Sequence, residues 1–100
     1  MKIKTWNTGD IYFAETTITA PVNFTSRFVG NFTQGIVTLK STPYISTTDK
    51  NVNAKSVLGL LSADIRKGNI LKIQTMNSHS CEQSKLDLEI VTKLIKNESY

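Results

Sequence analysis

Apolar residues along this chain recur with two periods, and the switches between them mark out its elements. The first nine residues are polar and lack a clear period, which predicts an appended arm or an extra edge strand over residues 1–10. From Ile11 to Ile18 the strand formers Ile, Tyr, Phe and Thr predominate, predicting a first strand of the main domain. Pro21 interrupts pairing or starts a helix, and Phe24, Phe28, Val29 and Phe32 share one helical face, so the spacing predicts a helix over Pro21–Asn31. Gly30 and Gly35 bracket its end, and Ile36–Leu39 alternates as a short half-buried strand. Ser41-Thr42-Pro43 and Thr48-Asp49-Lys50-Asn51 are turn chemistry on either side of Tyr44–Thr47, predicting a hairpin that leads into Val52-Asn53-Ala54. Ser56 stands at a helix N-cap before Val57, Leu58, Leu60 and Leu61, its hydroxyl in reach of the amide of Gly59 or the residue before it; the helix runs to about Ala63. Lys67-Gly68-Asn69 turns into the alternating strand Ile70–Gln74. Ser80 and Gln83 have capping-box spacing ahead of a last helix whose core face carries Leu86, Ile90, Val91, Leu94 and Ile95. The order β, α, β, β, short α, β, α is that of an α+β domain over residues 11–97, one sheet with helices on one face.

A length of 100 residues gives room for one core, and an apolar fraction of 39% with 20% charged residues argues against wholesale disorder and against a fibrous repeat. No apolar run approaches the roughly 20 residues of a membrane span, and the opening Met1–Trp6 is not followed by a signal-peptide apolar region, so a cytoplasmic location without membrane contact is expected. Cys81 is the lone cysteine, which excludes an internal disulfide and leaves the N-x-[ST] sites at Asn23, Asn31 and Asn97 as chance features of an Asn- and Thr-rich chain. The net charge of +4 comes from lysines scattered between Lys2 and Lys96 without a basic stripe, so no nucleic-acid partner is expected.

The stretch Asn53-Ala54-Lys55-Ser56-Val57-Leu58-Gly59-Leu60-Leu61-Ser62-Ala63-Asp64-Ile65-Arg66-Lys67-Gly68 resembles the regulatory-serine segment of the histidine-containing phosphocarrier protein family, HPr. From Val52 to Ile73 it follows V-N-x-K-S-[IVL]-x-G-[VL]-[ML]-S, then I-x-K-G and a closing apolar strand, and the predicted element order is that of the HPr fold, an open-faced antiparallel sheet covered on one side by helices. The family's other motif, G-[IL]-H-[AT]-R-P-A after the first strand, is not matched, because no histidine precedes His79. Two placements of the first half stay open. Thr17-Ile18-Thr19-Ala20-Pro21 matches a T-I-T-A-P that ends strand one in some members, at the expense of the histidine loop; taking Ile11–Ala14 as the strand instead puts Thr19 near the histidine position. In the family the imidazole takes a phosphoryl group from enzyme I, with an arginine and a helix amino end holding its charge. A threonine hydroxyl cannot form the labile phosphoramidate, so the resemblance implies a Crh-like paralogue without phosphocarrier activity. Arg27 lies too late for the motif arginine under either placement and reads as a surface helix residue.

Ser56 keeps its family context as the regulatory phosphoacceptor, with a plain N-cap as the alternative use of the same hydroxyl. Val57, Leu58, Leu60 and Leu61 are either partly outward, as the family's docking surface, or all in a small core. Asp64 replaces the glycine that usually follows this helix and tolerates a left-handed backbone better than most residues. His79-Ser80-Cys81 reads as a loop histidine and a half-buried cysteine, not a nucleophile with its base. With no metal-ligand cluster, phosphate loop or distinguished carboxylate pair, neither an enzyme nor a cofactor is expected. The resemblance implies protein partners: an HPr kinase/phosphorylase, a catabolite-control transcriptional repressor or other components of the sugar phosphotransferase system. The extra arm offers a route to a homodimer. Two functional readings follow, a regulatory module switched at Ser56 and an interaction or structural module with no phosphorylation.

Overall fold

The computed structural model describes residues 2–97. Its elements are β1 (Lys4–Thr8), β2 (Ile11–Thr19), α1 (Ser26–Ile36), β3 (Thr42–Ser46), β4 (Asn51–Asn53), α2 (Val57–Ser62), β5 (Ile70–Asn77) and α3 (Cys81–Asn97). One antiparallel sheet runs β1-β2-β5-β3-β4, with β5 central between β2 and β3. Alternation sends Ala14 and Thr16 of β2, Pro43 and Ile45 of β3, and Leu71, Ile73, Thr75 and Asn77 of β5 to the buried face. There they meet Phe28, Val29, Phe32 and Ile36 of α1, Leu60 of α2, and Leu88, Val91 and Ile95 of α3.

The polar opening residues form an edge strand. β1 and β2 are joined through Gly9 and Asp10, with Thr8 opposite Ile11. Gly9 has φ +60°, the conformation that a tight two-residue hairpin turn asks of its first residue. Trp6 holds the strand in place by stacking on Phe13 at 5.1 Å, and the Lys4 ammonium lies 5.7 Å from the Trp6 ring.

The first helix begins five residues later than its periodicity predicts. Residues 20–24 are held out of the helix by the loop that leads into β5: Ala20 N–H donates to Asn69 O (2.8 Å), Gly68 N–H to Ala20 O (2.9 Å), Phe24 N–H to Ile65 O (2.8 Å) and Lys67 N–H to Asn23 Oδ1 (2.8 Å). The helix starts where Thr25 Oγ1 accepts from Phe28 N–H (3.2 Å). Phe24, just ahead of that cap, packs on Phe28 with ring centroids 4.5 Å apart, so the apolar period continues across a boundary it does not mark. The strand expected at Ile36–Leu39 is also corrected: Ile36 closes α1 and Leu39 N–H returns to Ile36 O (3.1 Å). The strand instead is β3, and it contains Pro43, a residue whose chemistry predicts a turn. Pro43 O accepts from Ala54 N–H (2.8 Å), so its missing N–H also faces the β4 side and breaks no rung to β5.

A buried polar cluster ties α3 to the sheet. Asn77 donates to Ser41 Oγ (2.8 Å) and Ser84 Oγ (2.7 Å), while its Oδ1 accepts from the His79 and Ser80 amides. Asp87 accepts from Ser41 N–H (2.9 Å) and from the Gln83 amide (2.9 Å). Ser80 caps α3 through Gln83 N–H (3.0 Å) as its spacing predicts, but the reciprocal half of the box is supplied by Asn77.

Candidate functional site

The candidate residues gather at two helix amino ends and in the loop between α2 and β5. Asn53 builds the approach to α2: its side chain accepts from Lys55 N–H (2.8 Å) and its carbonyl from Ser56 N–H (3.0 Å), a turn that delivers Ser56 to the N-cap. Ser56 is extended (φ −94°, ψ 112°), exposed, and accepts from Gly59 N–H at 3.0 Å. A Cβ on Gly59 would lie 3.1 Å from that same Ser56 Oγ, so glycine keeps room for the cap. At the other end of α2, Lys50 Nζ donates to Ser62 O (3.0 Å), and Asp64 takes up a left-handed φ of +49°, the conformation its sequence position required. The Asp64 carboxylate pairs with Arg66 at 3.4 Å, both side chains well exposed.

The four apolar residues of α2 divide. Leu60 is fully buried and Leu61 partly so, while Val57 is 41% and Leu58 80% exposed. Leu60 therefore belongs to the core and presents no docking surface, a correction to its expected partner-facing role; the outward apolar face consists of Val57 and Leu58.

Thr19 does not stand at a helix start. It is the last residue of β2, in register with Ile70, and the amino end of α1 lies six residues further on at Thr25. Arg27 is exposed in the first turn of α1, two residues past Thr25. Asn23, Phe24, Thr25, Asp64, Ile65 and Arg66 line an open groove of about 280 Å³, so the cap of α1 and the end of the α2 loop face a common space. Neither expected placement of the first half reaches Thr25: the T-I-T-A-P match omits the histidine loop, and taking Ile11–Ala14 as the strand sets the position near Thr19.

Residues 13–96 match the family model described as the PTS HPr component phosphorylation site. The chain belongs to the HPr family. Among solved structures, HPr-C-His from Thermoanaerobacter tengcongensis is 23% identical with a TM-score of 0.72, covering 84% of this chain and 92% of its own. The phosphocarrier HPr from Bacillus anthracis str. Ames is 23% identical at the same TM-score, covering 82% and 95%. A Mycoplasma histidine-containing phosphocarrier protein is 16% identical, again at 0.72, covering 85% and 94%. No curated protein matches the chain. The fold is thus the α+β HPr fold, an antiparallel five-stranded open sheet with three helices, in which β1 precedes the residues matched by the family model.

His79 and Cys81 stay apart from this site. His79 is exposed in the loop before α3, and the half-buried Cys81 thiol points to Trp6 O at 3.5 Å. Among the described residues, no three His, Cys, Asp or Glu side chains group as metal ligands would, and no helix is long and apolar enough to cross a membrane.

Proposed function

We propose that this chain is a Crh-like regulatory member of the HPr family: a cytoplasmic, non-enzymatic protein that carries no phosphoryl group on histidine and acts by binding proteins, switched by phosphorylation of Ser56. The observation that carries this reading is the amino end of α1. The family motif spaces its histidine and arginine as H-x-R, and Thr25-Ser26-Arg27 keeps that spacing with Thr25 at the cap. Thr25 rather than Thr19 is then the residue in the histidine's place, and Arg27 is the motif arginine. Helix start and arginine are retained, and the imidazole is replaced by a hydroxyl that cannot hold a transferable phosphoramidate.

Ser56 supports the regulatory half. It is exposed, its surrounding sequence is the family's, and its hydroxyl engages one backbone amide. A phosphate there adds about −1.5 to −2 of charge. That charge falls beside Val57 and Leu58, the exposed apolar residues that we assign to partner docking. The partners that fit are an HPr kinase/phosphorylase, a catabolite-control transcriptional repressor and other components of the phosphotransferase system. An unphosphorylated binding module is the second reading, favoured by Asp64 in place of the family glycine beside this helix.

Incubation with an HPr kinase and ATP, read by intact mass, separates the two. A single added phosphate that is absent from Ser56→Ala is the expected result. No added mass, with authentic HPr modified in the same tube, overturns the serine switch and leaves the unmodified module.

A further inference from the structure

We propose that the outer face of α3 is a self-association surface, packing antiparallel against the same helix of a second copy of this chain. The helix turns Ser84, Asp87, Leu88, Val91, Thr92 and Ile95 into the protein. Its solvent side carries two large aliphatic residues one turn apart, Leu86 at 49% and Ile90 at 42% exposure. They border a groove of about 340 Å³ shared with Gln83, Asp87, Glu89 and Lys93. An i, i+4 aliphatic pair of this kind is the ridge that inserts into a neighbouring helix.

Charge selects the occupant. Along the exposed strip the signs alternate: Glu82, Lys85, Glu89, Lys93. Among the described residues none of these four is spent on an ion pair within the chain. A two-fold axis passing near residue 88 lays Leu86 beside Ile90 of the second copy. The same operation brings Glu82 against Lys93 and Lys85 against Glu89, all unlike pairs. A parallel arrangement in register would oppose each charge with itself. The strip is therefore complementary to its own antiparallel image, the requirement for an isologous contact. One helix face is small for a specific interface, so the expected dissociation constant is weak, on the order of 100 μM.

Sedimentation velocity from micromolar to millimolar chain concentration tests this. The expected result is a monomer–dimer equilibrium that Leu86→Glu weakens tenfold or more, that Glu82→Lys weakens by bringing lysines together, and that the exchange Glu82→Lys with Lys93→Glu restores. Both single-site positions are solvent-facing, and circular dichroism checks that each variant folds. A monomer throughout the range overturns the proposal, and so does a dimer indifferent to Leu86→Glu and Glu82→Lys. A charge exchange that fails to recover what Glu82→Lys lost overturns the antiparallel arrangement.

Discussion

Asp64 holds a backbone conformation that suits glycine better. At φ +49° its Cβ crowds the neighbouring carbonyl, a cost of roughly 1–2 kcal/mol for an ordinary residue and less for aspartate. Its compensation is the ion pair with Arg66, in which both side chains are mostly in water and the pair contributes little. Asp64→Gly should therefore stabilise the fold by about 1 kcal/mol, raising the melting temperature by about 4–8 °C for a domain of this size, as read by thermal unfolding. The left-handed turn at this position was legible through the resemblance, because Asp64 replaces the family's glycine and aspartate tolerates that conformation better than most residues. The two divided pairs on α2 were not. Leu58 and Leu60 are the same residue two positions apart, and only the placement of the helix against β4 and α1 decides that one is core and the other surface.

At the scale of elements, those with strong local signals were readable. Although Leu86 and Ile90, expected on the core face of α3, turn to solvent while Leu88 and Val91 face the core, Ser56 capping α2, the alternating run of β5 and the existence of α3 rest on residues close in sequence. The start of α1 does not. Residues 20–24 stay out of the helix because they bond to residues 65–69, more than forty positions away, and no local period carries that information. β3 escapes the local pattern for a related reason: Pro43 is a turn residue by composition, and it is admitted to the strand by the way its carbonyl faces Ala54. The helix boundary has a chemical consequence. If the amino end of α1 is the family's phosphorylation position, one substitution should restore carrier activity. Thr25→His, mixed with phosphorylated enzyme I, should take up a labile phosphate detectable by intact mass. Thr19→His and the unaltered chain should not, since Thr19 ends β2 in register with Ile70 and has no free helix amides before it. Uptake by Thr19→His instead would return the site to the upstream register.

At the scale of the whole molecule, one antiparallel sheet packs its buried face against all three helices. The helices are locked to the sheet by the core and by the Asn77 and Asp87 bonds, none of which involves Thr25, Ser56 or the exposed part of α2. Within α2, a buried and an exposed leucine can be changed separately, so a loss of stability and a loss of docking can be told apart. Leu60→Ala opens a cavity in the core and should cost about 2–5 kcal/mol, seen as a lower urea midpoint. Leu58→Asp removes a side chain already 80% exposed and should leave that midpoint within about 0.5 kcal/mol of the parent. Its effect belongs to docking: placed two residues after Ser56, a carboxylate in the apolar face should slow modification by an HPr kinase by about tenfold or more, the size of loss typical of a central contact residue. Kinase rates measured beside urea titrations of both variants check this. A Leu58→Asp protein that is modified at the parental rate would place the kinase contact elsewhere and leave Val57 and Leu58 without the docking role assigned to them.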